Sequence, residues 1–169
     1  MKKYALTALG PYRPGNIVLL SKVLYENRCA IGDLNMGVLE NVFAVSLVFL
    51  APEDKNYLKN IKEFGRSSGL KLSLKEVTGK FPACKPANYI VTVAGPNRAG
   101  LVYRVASGLI KTGMDIVELE TKRIEGGERE LYIMVFEVYS PVSIGKARER
   151  LVLIGKKAGV KIEISPVEI

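Results

Sequence analysis

The chain has 169 residues, enough for one medium domain or two small ones, and is 48% hydrophobic and 25% charged, the profile of a folded globular protein. The formal net charge is +8, which permits an anionic partner, but Lys and Arg are spread along the chain with no basic run. There is no His, which excludes Ser-His and Cys-His nucleophile pairs and most zinc sites, and two cysteines, Cys29 and Cys84, are too few for a disulfide framework.

Lys2 and Lys3 precede only a short apolar stretch, so no secretory signal is expected. The longest apolar run, residues 42–51, is far short of the roughly 20 residues of a membrane-spanning helix. A cytoplasmic protein with reduced thiols is the expectation.

In chain order, residues 5–9 read as a short apolar strand that ends at Gly10-Pro11. The loop LGPYRPGN, residues 9–16, opens into a helix whose Ile17, Leu20 and Leu24 recur at helical spacing. Leu34, Met36 and Val38 then alternate with Asp33, Asn35 and Gly37, a strand with one apolar and one wet face. Residues 42–50 are apolar on nearly both faces and predict a central strand. A second helix follows, and a strand over 70–77 closes the set.

The stretch TGKFPACKPAN, residues 78–88, has two prolines and no periodicity, and reads as a linker. The pattern then starts again. When the chain is laid on itself so that Tyr4 meets Tyr89, Gly10-Pro11 falls on Gly95-Pro96, Arg13 on Arg98, Gly15 on Gly100 and Cys29 on Met114. The loop AGPNRAGL, residues 94–101, leads into Leu101, Val105 and Leu109 at helical spacing, with Gly113 as the stop. Val117, Leu119 and Thr121 alternate with charged residues, and Glu125-Gly126-Gly127-Glu128 signals a turn. An apolar strand over 131–138 follows, then a clean helix through Ile144, Ala147, Leu151, Ile154 and Ala158, and a last strand over 160–166. The expected organisation is a first domain over 1–79, a linker over 80–88 and a second domain over 89–169. The expected fold class is α+β. Each copy is a ferredoxin-like βαββαβ unit, with an antiparallel sheet carrying both helices on one face. The other sheet face lacks helical cover, so burial by another copy or a second chain is expected there.

The repeated loop is the candidate site. Gly10 and Gly95 end the first strands and permit tight or left-handed backbone. Pro14 suits a first helical turn, and Gly15 and Gly100 permit close approach to a helix start, whose free N–H groups favour a carboxylate. Arg13 or Arg98 can grip the same carboxylate in a bidentate way. An ammonium group needs acceptors: Asn97 offers a carbonyl oxygen, and Tyr12 only a phenol. The structural alternative is a turn in which Asn97 caps the helix and the arginines lie on the surface.

These residues resemble the ACT domain family, whose first strand commonly ends in a Gly-x-Asp/Asn-Arg-Pro-Gly loop. Gly10, Arg13, Pro14 and Gly15 match it, as do Gly95, Asn97, Arg98 and Gly100. Residues 30–33 and 115–118, AIGD and DIVE, resemble the family's second-strand element. Two such units in series, with YALTALGPYRPG and the later DIVELETKRIEGGERELYIMVFEVYSP in that order and spacing, resemble the glycine cleavage system transcriptional repressor group. The resemblance implies a regulatory protein that senses a small amino acid, glycine or serine foremost. It would act by contacting another protein, such as a transcription activator. The ligand would sit at an interface between two ACT units, as in a homodimer, touching the first loop of one and the second strand of its neighbour. No cofactor, metal or catalytic residue is implied. Tyr12 stands in place of the family's Asp, Ala99 in place of Pro, and Ala30 and Asp115 in place of Asn.

Three rival readings follow. A ligand-free interaction module would keep the fold and lose the effector, as Tyr12 and Ala99 suggest. Direct nucleic-acid binding has the fold and the charge in its favour but lacks the aromatic signature of an RNA-recognition sheet. An acylphosphatase-like enzyme would use an Arg and an Asn, but its glycine-rich phosphate loop is absent.

Overall fold

The computed structural model describes residues 1–53, 56–78, 84–124 and 131–167. The chain divides into two compact units, Met1–Phe81 and Pro82–Ile169. The expected turn at 125–128 and the expected linker's residues 80–83 lie outside the described residues.

The first unit runs β1 (Lys2–Pro11), α1 (Asn16–Glu26), β2 (Ala30–Leu39), β3 (Val42–Ala51), α2 (Asn56–Ser68) and β4 (Lys71–Glu76). The second repeats it as β5 (Tyr89–Gly95), α3 (Leu101–Lys111), β6 (Asp115–Ile124), β7 (Leu131–Tyr139), α4 (Ile144–Ala158) and β8 (Lys161–Pro166). The sheets have the orders β2-β3-β1-β4 and β6-β7-β5-β8, every pairing antiparallel. The fold is therefore α+β, two βαββαβ units in series, as expected.

Period-two burial builds each core. Tyr4, Leu6 and Ala8 of β1 and Phe43, Val45, Leu47 and Phe49 of β3 face the helices. Leu20 and Leu24 of α1 and Tyr57 and Ile61 of α2 close over them. Full burial of each large apolar side chain among these contributes about 1.5–3 kcal/mol. The second core has the same plan, with Val91, Val93, Met134 and Phe136 beneath Val105, Leu109, Leu151 and Ile154. Cys29 and Met114 occupy matching buried positions, so Cys29 is an apolar core residue.

The apolar strands β3 and β7 are central, as expected. The expected one-sided burial of β2 is not found. Its register with β3 puts Leu34, Met36 and Val38 on the helix side, yet all three are about two-fifths exposed (42%, 42% and 40%). The reason is topological. β2 is an edge strand with a neighbour on one side only, and its side chains stay exposed. The matching strand β6 also lies at an edge, with Leu119 exposed. Both edges carry a bulge, between Ile31 and Leu34 and between Ile116 and Glu118, within the two segments matched to the family's second-strand element.

Of the expected linker, residues 84–88 form neither helix nor strand. Asn88 is bound into the second unit. Its side chain donates to the Ser140 carbonyl at 2.8 Å and accepts from the Ser140 N–H at 2.8 Å.

Candidate functional site

Each candidate loop joins the first strand of a unit to its first helix. Gly10 and Gly95 belong to extended strands rather than to left-handed turns. What requires glycine there is space. A Cβ on Gly10 would lie 2.9 Å from the Gly69 carbonyl oxygen, and one on Gly95 would lie 2.6 Å from Cγ1 of Val160. The loop is thus packed against the turn that follows the unit's second helix.

Residues 13–16 and 98–101 each form a hydrogen-bonded turn. The Asn16 N–H donates to the Arg13 carbonyl at 3.1 Å, and the Leu101 N–H donates to the Arg98 carbonyl at 3.1 Å. Gly15 has φ 90° and ψ 0°, and Gly100 has φ 79° and ψ 5°. This is type II geometry, with Pro14 or Ala99 at the second position and glycine at the third. Pro14 therefore precedes the helix instead of lying in its first turn, and Ala99 fits the place because the turn needs only an ordinary negative φ there. Gly15 and Gly100 are required by their positive φ; a Cβ at either would point into open space. Asn97 does not cap α3: Gly100 holds the cap position, with no side-chain cap bond.

The turn explains the glycines and leaves the polar side chains over. Tyr12, Arg13, Asn97 and Arg98 are exposed. Among the described residues no side-chain hydrogen bond or ion pair engages Arg13, Asn97 or Arg98. Arg98 Nη1 would lie 3.6 Å from a Cβ on Gly159, so its guanidinium sits at the C-terminal end of α4, a favourable place for a cation. The N–H groups of Ile17, Val18, Val102 and Tyr103 lie in first helical turns, where no intrahelical acceptor exists.

The two loops differ at a residue outside the motif. Asn16 is 5% exposed, and its amide donates to the Pro11 carbonyl at 3.1 Å. Leu101 takes the matching place in the second unit, so among the described residues no side chain closes onto the Pro96 carbonyl as Asn16 does onto that of Pro11. Asn16 went unmarked in the sequence because it reads as an ordinary polar helix start.

The loop and the second-strand element of one unit do not meet. Pro11 pairs with Val42 at one end of the sheet, while the β2 bulge lies near Val48. That separation is about 20 Å along the strand.

Residues 5–75 match the ACT domain family, so the first unit is an ACT domain. No curated protein sequence matches the chain at a significant level. Among solved structures, an unknown protein from Galdieria sulphuraria aligns over 99% of this chain and 99% of its own, with 24% identity and a TM-score of 0.78. A proposed glycine cleavage system transcriptional repressor aligns over 99% of this chain and 98% of its own, with 13% identity and a TM-score of 0.73. At these identities the likeness concerns the fold. Fold, topology and family match define the class: α+β proteins built from the ACT domain. The second unit repeats the βαββαβ fold of that domain, so the chain is two ACT-fold units in series. Among the described residues no helix is long and apolar enough to cross a membrane.

Proposed function

We propose that this protein is an amino-acid-sensing regulator that acts through protein–protein contacts, without catalysis. The observation that carries the reading is the second loop. Asn97, Arg98, the Pro96 carbonyl and the unpaired amides that open α3 supply donors and acceptors of both kinds around one exposed turn. An α-amino acid needs that combination: cationic and N–H donors for its carboxylate, carbonyl oxygens for its ammonium. A small amino acid, glycine or serine first, suits so open a place, and the likeness to the proposed repressor supports glycine as the leading candidate.

The reading includes a homodimer and a cytoplasmic location. The loop and the bulged strand of one unit lie at opposite ends of its sheet, so an effector that touches both needs a second ACT unit. The exposed apolar residues of β2, at a sheet edge, favour such a contact. Regulation of glycine cleavage through a transcription activator is the finer form of the proposal.

The test is a thermal-shift panel of the common amino acids on the intact chain. A ligand that binds only the native state raises the melting temperature. One responding amino acid supports the reading. Silence across the panel supports a ligand-free interaction module, which Tyr12 and the placement of Arg98 beside Gly159 favour.

A further inference from the structure

The outer side of the second unit's helices holds a groove that the amino-acid site does not use. It lies between α3 and α4 and has a volume of about 420 Å³. Gly108, Ile154 and Ala158 line it with apolar surface, and Tyr103 and Leu153 stand beside it, 75% and 61% exposed. Four cations, Arg104, Lys111, Arg150 and Lys157, line it together with Ser107 and Thr112, and no carboxylate joins them. Arg150 donates to the Thr112 carbonyl at the end of α3, so one of these charges is fixed across the two helices.

The repeat supplies an internal control. The burial patterns of α2 and α4 superpose with Tyr57, Ile61 and Phe64 on Ala147, Leu151 and Ile154. In that register Asn60 matches Arg150, Glu63 matches Leu153 and Ser67 matches Lys157, while Leu19 and Glu26 of α1 match Arg104 and Lys111. The equivalent groove of the first unit is lined by Val23 and Phe64 together with Glu26, Asn27, Asn60, Glu63 and Ser67, with no cation among them and with Asn60 donating to Asn27 at 2.7 Å. The four cations and the exposed Leu153 are therefore not part of the scaffold that both units share and belong to one copy, whereas Tyr103 has an exposed apolar counterpart in Val18.

We infer that the α3/α4 groove docks an acidic amphipathic helix of a partner protein. Charge complementarity demands the acid: four cations at one groove repel one another until an anion arrives. The apolar lining demands side chains of the same kind on the occupant, which a phosphate backbone does not offer. The helix follows from hydrogen bonding. The walls are helices whose backbone groups are already paired, so an occupant must satisfy its own backbone, and a helix does. A protein segment thus fits better than a nucleic acid.

This inference goes beyond the effector site, and its test contains no effector, so failure of either leaves the other standing. The probe is a fluorescent helix-forming peptide of about 15 residues with Leu along one face and Glu along its flanks. A scrambled peptide of equal composition and a DNA oligonucleotide are measured beside it. Arg104→Glu, Lys111→Glu and Lys157→Glu are combined in one full-length variant, and Lys59→Glu, Lys62→Glu and Arg66→Glu of α2 in a control that loses the same charge. The amphipathic peptide is expected to bind at least about tenfold more tightly than the scramble and to lose at least about tenfold in the first variant only. Backbone amide shifts should map the contact to α3 and α4. Equal binding of the scramble, equal loss in the control, shifts mapping elsewhere, or tighter binding of DNA lost in the first variant would each overturn the inference.

Discussion

At the scale of single residues, the backbone decides more than the side chains do. Gly100 sits at φ 79°, so Gly100→Ala should lower stability by about 1 kcal/mol although its Cβ meets nothing. The converse case is Arg28, at φ 57° just past α1, where the second unit has Gly113 at φ 82°. Arg28→Gly should raise stability by about 0.5–1 kcal/mol, read as an upward shift of the urea midpoint; a fall would contradict this account. The Tyr57 hydroxyl is buried with no hydrogen-bond partner among the described residues, and burial pushes its phenol well above the usual tyrosine range. Tyr57→Phe should therefore keep the stability or raise it by up to about 1 kcal/mol, because no hydrogen bond is lost. These details were only partly legible in the sequence. Gly113 announced a helix stop, whereas Arg28 concealed one, since nothing in an arginine signals positive φ. Pro14 misled for a related reason. Proline is at home both in a first helical turn and at the second position of a type II turn, and only the Arg13–Asn16 hydrogen bond separates the two.

At the scale of elements, strands and helices followed from their periods, and the central place of β3 and β7 followed from two-sided apolarity. The exposure of β2 did not. Alternation predicts that a strand has an apolar face, but whether a helix lies over that face depends on strand order, which is a property of the whole sheet. If the edge is a contact between copies, Leu34→Lys combined with Met36→Lys should shift the sedimentation coefficient towards the monomer while the far-ultraviolet dichroism stays unchanged. An unchanged sedimentation coefficient would remove β2 from the interface. Asn16 belongs at this scale too, since it ties the β1–α1 loop to the end of its own strand. Asn16→Ala should cost about 1–2 kcal/mol by leaving the Pro11 carbonyl without its partner.

At the scale of the whole molecule, duplication is the most informative fact. Its shared parts, the close-packed Gly10 and Gly95 and the two type II turns, are explained as scaffold. Its differences are where function is to be sought: Asn97 against Tyr12, Leu101 against Asn16, and the cationic α3/α4 groove against its neutral-to-acidic counterpart. The loop difference at Asn97 was visible in the sequence, because both members lie inside a motif. The groove was not, because Arg104, Lys111, Arg150 and Lys157 come from two helices far apart in the chain and converge only when the unit folds. The central claim is that the second loop holds an amino acid. Calorimetric titration of the intact chain, of Asn97→Ala and of Arg98→Ala, beginning with glycine and serine, tests it most directly. The account predicts saturable heat with one amino acid and at least about a tenfold weaker affinity in both variants, with the melting temperature of unliganded Asn97→Ala unchanged and that of Arg98→Ala lowered only by the loss of its helix-terminus contribution, about 0.3–1 kcal/mol. Affinity equal to the parent's in both variants, or no heat with any amino acid, would contradict it.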